Sequence, residues 1–321
     1  MQIRLFLFDP LRHLSIPWLI AAIFLCNQVE AGSHDDLPVT EIAKGIFVFQ
    51  GAYEIFTRDN DGLISNMGFI VGETGVAVID TGGSRRAGAR LKATIRRHTR
   101  LPVKYVINTH MHPDHVFGNA AFSDAGTIFV GHRRLTRALR ARSAYYLEAN
   151  APLLGDTLIK GVEIVLPDVQ VSGRMELDLG NRKLVLHAHA TGHTDNDLTV
   201  LDVGTGTLFA GDLLFSRHIP ALDGSIVGWL SVMAGLKTLS AERVVPGHGP
   251  PALPWPSAMD DQSRYLNRIA DDVRGLIAAG HSLTDAMAQV GQGEAGNWAL
   301  FDEFNARNVA AAYAELEWEQ E

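Results

Sequence analysis

One cysteine, Cys26, is all the thiol in this chain of 321 residues. That scarcity excludes a disulfide framework and a cysteine-ligated metal or iron–sulfur site. Positive charge is also short, with 28 Lys and Arg against 36 Asp and Glu and a formal net charge of -8. No basic surplus exists to hold a nucleic-acid backbone or an anionic lipid surface, so neither is expected as a partner. Long apolar runs are missing too. The longest, Leu14 to Cys26, falls short of the roughly 20 residues that a membrane-spanning helix needs, so no permanent membrane insertion is expected. The chain also lacks a Gly-x-Ser-x-Gly elbow, which leaves serine-based covalent catalysis without a candidate. What it has is 46% hydrophobic residues, enough to build a packed core and too many for a disordered chain.

The apolar run has the marks of an export signal. Arg4 and Arg12 flank it on the basic side, and Val29 and Ala31 set small residues at the -3 and -1 positions of a cleavage site. Residues 1–31 therefore read as a signal peptide and the periplasm as the expected location. The mature chain then has no cysteine, which suits an oxidising compartment and leaves metal binding to His and carboxylates.

Beyond the signal, residues 32–250 carry β-rich segments at 46–49, 67–71, 76–79, 103–107, 128–130, 184–186, 198–201 and 208–210. Helical patterns interrupt them at 85–99, 133–149 and 229–239, and this alternation predicts a layered α/β domain. After the turn-rich Pro246 to Pro256, residues 251–321 become helical. Leu266, Ile269, Val273, Leu276 and Ile277 share one face, Ser282 and Asp285 form a capping-box pattern, and 304–316 read as a last helix. A C-terminal helical extension is expected.

The residues that carry chemistry follow the strand at 103–107. Thr109-His110-Met-His112-Pro-Asp114-His115 packs three histidines and an aspartate into six positions; chance would produce this about once in a thousand such chains. At a strand end His110 and His112 project to the same side and can grip one ion. The turn at Pro113 re-aims Asp114 and His115, and two grips in one loop suit two metals roughly 3.5–4 Å apart. His193, Asp212 and His248 each end a predicted strand beside glycine, where backbone can approach an ion. Asp80 ends another. The remaining histidines, including His132, His187, His189 and His218, read as structural, with His218 the best placed to border a cleft. Arginines 133–142 fall at helical spacing and read as a solvated face.

This ordered set resembles the metallo-β-lactamase-fold hydrolase superfamily over about residues 42–250. The resemblance implies a four-layer αββα sandwich with the metals at one edge. Carried over by position, it implies that one metal takes His110, His112 and His193, a second takes Asp114, His115 and His248, and Asp212 bridges them. Asp80 becomes the carboxylate that orients a ligand from behind. Nitrogen and oxygen ligands favour two Zn2+, with iron and manganese also compatible. Such ions would present hydroxide at neutral pH to the carbonyl of a small ester, thioester or amide, with Asp114 or Asp212 managing the proton.

The longer strings Gly68–Gly72, Val78–Gly83, Val106–Asn119 and Gly192–Leu198 are similar to the exported SoxH-like proteins, also called quinoprotein relay system zinc metallohydrolases. That likeness implies a periplasmic enzyme with a sulfur-oxidation or quinoprotein redox system as a possible partner, and it fixes no substrate. Alternatives stay open at this point: a β-lactamase-like hydrolase, a persulfide-dioxygenase-like oxidoreductase with one iron, and a non-catalytic metal-binding accessory protein. The loop Tyr53–Asn60 is expected to border the cleft.

Overall fold

Two sheets stack face to face, and chain direction within each decides where the site forms. The computed structural model describes residues 36–319. The signal segment and Cys26 lie outside the described residues.

The first sheet has seven strands in sequence order: β1 (Val39–Ala43), β2 (Ile46–Phe49), β3 (Met67–Val71), β4 (Val76–Ile79), β5 (Val103–Ile107), β6 (Ile128–His132) and β7 (Val169–Val171). Its first four strands are antiparallel neighbours, while β4 to β7 run parallel. Parallel pairing demands crossovers, supplied by α1 (Arg85–His98), the single turn α2 (Pro113–Val116) and α3 (Leu135–Ile159). The second sheet contains β8 (Arg174–Asp178), β9 (Lys183–Ala188), β10 (Leu198–Asp202), β11 (Thr207–Phe215), β12 (Arg243–His248) and β13 (Leu253–Pro254) in reverse spatial order. Here β11 and β12 are parallel, joined through α4 (Ile226–Leu236). The helices α5 (Asp260–Ala278), α6 (Leu283–Gln289) and α7 (Phe301–Leu316) follow.

Alternation along the strands sorts side chains into layers. In β4, Ala77 and Ile79 join Ile46, Ile70, Leu184, Leu186, Val200 and Phe209 in the core between the sheets, whereas Val76 and Val78 face Leu91 and Ile95 of α1. Leu208 and Ala210 of β11 turn the other way, into a cluster with Trp229 of α4, Tyr265, Leu266 and Ile269 of α5 and Val309 of α7. The result is the four-layer αββα sandwich, and the C-terminal helices help cover its second sheet. No helix among the described residues is long and apolar enough to cross a membrane.

Local chemistry sets the helix ends. Ser84 accepts from the Ala87 amide to cap α1, and Ser282 with Asp285 forms the reciprocal capping box of α6. Three helices differ from their sequence expectation, and one of them, α7, starts at Phe301 rather than at the expected 304. The expected helix at 229–239 starts three residues earlier, because Ser225 accepts from the Gly228 amide and opens the helix there. That at 133–149 runs on to Ile159, through Pro152, and breaks its geometry only at Gly155 (φ 72°, ψ 165°). A proline costs a helix one backbone hydrogen bond, which packing of Leu154 and Leu158 into the core beneath offsets.

Candidate metal centre

Loops at the carboxyl ends of β4, β5, β11 and β12 converge at one edge of the sandwich, joined by the β9–β10 loop. There the structure gathers the sequence-singled residues into two groups: His110, His112, His193 and Asp212, and Asp114, His115 and His248. Within each group one donor atom per residue lies within 4.8 Å of every other. His112 caps α2, whose first turn carries Asp114 and His115, so the motif splits between strand end and helix as Pro113 dictates. Asp212 sits on β11 within a register shift that begins at Gly211, whose φ is 53°. A Cβ on Gly247 would overlap the Asp212 Oδ1 atom, which is why the residue before His248 has no side chain.

The carboxylate of Asp212 touches both groups. Its Oδ2 is 3.6 Å from His110 Nε2, 3.4 Å from His193 Nε2 and 3.4 Å from His248 Nε2, and its Oδ1 is 3.2 Å from His115 Nε2. Asp114 Oδ2 lies 3.4 Å from His115 Nε2 and 3.2 Å from His248 Nε2. In the other group, His112 Nδ1 is 3.1 Å from His110 Nε2 and 2.9 Å from His193 Nε2.

The outward nitrogens are fixed by partners behind them. His193 Nδ1 donates to the Ala221 carbonyl (2.6 Å) and His248 Nδ1 to the Ile64 carbonyl (2.9 Å). His115 Nδ1 meets Asp80 Oδ2 at 2.8 Å. Thr109 Oγ1 donates to the same Asp80 oxygen (2.7 Å), which leaves it to accept from His110 Nδ1 (3.1 Å). His112 turns its Nε2 to Asp223 (3.1 Å), so this histidine alone offers Nδ1 inward. Partners of this kind fix the tautomer and aim the free lone pair at the centre. His115 Nε2 and Asp212 Oδ1 are buried with no hydrogen-bond partner. Orphaned buried atoms amid converging imidazole lone pairs fit divalent cations in both groups.

Asp80 holds this arrangement from a left-handed backbone (φ 56°), a conformation aspartate tolerates better than most residues. Beyond its two side-chain contacts it accepts from the Thr109 amide (2.8 Å). Asp80→Ala is expected to weaken metal binding about 10- to 100-fold while the fold persists, read by competition with a chromogenic chelator.

Electrostatics divides the histidines of the metal-free protein. Burial, with His115 nearby, holds His110 well below its ordinary value, and burial brings His193 down to about 4. Burial also opposes the charging of His248 and His115, yet carboxylates outweigh it. Asp212 and Asp114 raise His248 to about 9, and these two with Asp80 raise His115 well above its ordinary value. Burial disfavours charged Asp114 and Asp212, but the adjacent histidines keep both ionised and well below the usual carboxylate range.

These directions predict that metal loading near neutral pH expels protons from His248 and His115, so affinity rises with pH until about 9. The stabilisation of the metal-free fold by protonated His248 runs the opposite way: it is full below 6.5 and is lost as pH climbs through about 9. Calorimetry of zinc binding in buffers of different ionisation enthalpy counts the protons; pH-independent binding without proton release would contradict the assignment.

A cleft of about 480 Å³ opens over His112, Asp114, Asp212 and His248. Glu54, Ile55 and Phe56 of the loop at 53–60 line it, as does His218. His132 is buried with its Nδ1 accepting from the Arg134 amide, and His189 meets Thr199; neither lines the cleft. The arginine stretch is the expected solvated face, with Arg133, Arg137, Arg140 and Arg142 exposed, and it also makes ion pairs: Arg142 with Asp223 (3.2 Å), the carboxylate that holds His112, and Arg137 with Asp195. Sequence reasoning missed Asp223, which lies 111 positions from His112 and belongs to no motif. It also missed α7. Asn308 of α7 donates to the Pro220 carbonyl and accepts from the Leu222 amide, and Glu315 accepts from Ser225 and the Ile226 amide. That helix therefore clamps the segment bearing Asp223 and the Ala221 carbonyl.

Residues 60–248 match the metallo-beta-lactamase superfamily, and the chain belongs to it. Similar solved structures include a metallo-beta-lactamase from Pontibacter korlensis, with a TM-score of 0.59 at 21% identity, covering 72% of this chain and 99% of that one. Another is the inverting sec-alkylsulfatase Pisa1 from Pseudomonas sp., with a TM-score of 0.68 at 14% identity, covering 86% of this chain and 50% of that one. At such identities the likeness is one of fold. No curated protein matches the chain. The family and the His/Asp groups make this a hydrolase-fold protein with a metal-binding site.

Proposed function

We propose that the chain is a periplasmic hydrolase of a small ester, thioester or amide that works with two divalent ions, zinc foremost, and that it is of the SoxH-like kind. The observation that carries the reading is the Asp212 carboxylate, within 3.6 Å of ring nitrogens from both ligand groups. His110, His112 and His193 would hold one ion and Asp114, His115 and His248 the other, with Asp212 shared. Bound together, two such ions lower the pKa of a shared water to about 7 and polarise the bond to be cleaved.

The chain's own groups do the rest. Asp114 and Asp212 stay ionised beside the histidines, and either would manage the proton after attack. Asp114 lines the open cleft, which suits it to pass that proton to a departing group. Asp223, anchored by Arg142, keeps His112 turned inward. The location rests on the signal-like residues 1–31, and the SoxH-like assignment on the strings around the ligands.

The test is a turnover screen of the metal-loaded chain on esters, thioesters, β-lactams and alkyl sulfates, with metal content measured on the same sample. Asp114→Ala and His193→Ala should both lose turnover, and activity retained in both would overturn the mechanism. Oxygen consumption with one iron per chain would favour a dioxygenase instead. Metal binding with no turnover would favour an accessory role.

A further inference from the structure

We propose that the cleft takes substrates that combine an apolar chain with an anionic group, and that α7 selects them through Phe304 and Arg307. The inference deepens the hydrolase reading and rests on it for the reaction, though not for binding. Eight large hydrophobic side chains are exposed among the described residues, and three of them, Ile55 (46%), Tyr145 (65%) and Leu153 (42%), border this one cleft. Exposed apolar residues scattered singly need no explanation, whereas several converging on a concave site mark a surface that an apolar ligand covers. Phe304 joins them in the lining, its ring centroid 5.4 Å from that of His218.

The cleft lining carries one arginine, Arg307. Arg307, one helical turn beyond Phe304, is exposed, and its guanidinium carbon lies 5.9 Å from the Phe304 ring centroid. Among the described residues no carboxylate pairs with it, in a protein where acidic residues outnumber basic ones. Nearby Arg264 and Arg274 of α5 are paired with Glu294 and Glu319. Asp114 and Asp212 at the floor belong to the metal groups, and Glu54 of the same lining accepts from Asn60 and would repel an anion, so Arg307 is the lining's counter-charge. Phe304 and Arg307 both fall outside residues 60–248, the stretch that matches the family. Selection would thus be supplied by the C-terminal helices and chemistry by the family portion.

The experiment measures binding of hexanoate, heptanoate and octanoate, and of the matching 1-alcohols, to the zinc-loaded full chain by calorimetry. Each added methylene is expected to tighten both series about threefold to fourfold while the chain stays within the cleft. Carboxylates should bind about two- to fivefold tighter than alcohols, the scale of an exposed arginine–carboxylate pair, with less preference in high salt. Arg307→Ala should bring that ratio to about one, and Arg307→Lys should keep most of it. Phe304→Ala should weaken both series together. A preference that survives Arg307→Ala would mean that the ions hold the anion and would overturn the proposal, as would affinity that does not grow with chain length. Failure of the hydrolase reading shows separately, as absent turnover in a chain that still binds these probes selectively.

Discussion

Asp212→Ala is expected to abolish turnover and to strip metal from both ligand groups, with circular dichroism unchanged. The magnitude follows from position. Loss of a partner behind a ligand costs about 10- to 100-fold in affinity or activity, and Asp212 stands within the centre itself, so its loss should exceed that range. Its Oδ2 lies near His110, His193 and His248 and its Oδ1 near His115. Removing it leaves a buried His115 and His248 that lose a stabilising carboxylate, so their proton affinity falls as well. Asp223→Asn, which removes the charge behind the outward nitrogen of His112 and the ion pair with Arg142 but leaves the centre itself intact, serves as the comparison and should fall within the 10- to 100-fold range. Equal metal content in wild type and Asp212→Ala would remove Asp212 from the centre.

Chelation is expected to lower the melting temperature sharply. An ion that binds only the folded chain, at a free concentration about 1,000-fold above its Kd, stabilises by about 4 kcal/mol. For a domain of this size each kcal/mol moves Tm by about 2–4 °C, so each occupied group should add about 8–16 °C. The physical source is the site's composition: five imidazoles and two carboxylates at one sheet edge, all buried except the half-buried His112, with His115 Nε2 and Asp212 Oδ1 lacking hydrogen-bond partners. Differential scanning calorimetry of zinc-saturated and chelator-treated protein gives the shift directly. Superimposable melts would mean that these groups do not hold an ion tightly.

Much of the fold was legible because its signals are local. Alternation in Val76–Ile79 declares which face meets α1 and which meets the other sheet, and Ser282 with Asp285 announces a helix start without help from the rest of the chain. The His110–His115 motif was legible for the same reason, since strand end and Pro113 turn lie within one short string. Its distant companions His193, Asp212 and His248 could be picked out by their glycine-flanked strand ends and the family's order, and the fold gathers them.

What stayed hidden depends on contacts that no local pattern encodes. Asp223 acquires its role only because the segment after β11 folds back over His112, and Asn308 and Glu315 clamp that segment from α7. The continuation of α3 through Pro152 is likewise decided by packing, as Leu154 and Leu158 bury beneath it, against a residue whose local tendency is to stop a helix.

The most direct test of the paired-ion centre is anomalous diffraction at the zinc edge from crystals of the zinc-loaded chain. The account predicts two peaks about 3.5–4 Å apart, one among His110, His112 and His193, the other among Asp114, His115 and His248, with Asp212 between them. A single peak, or peaks outside these residues, would contradict it.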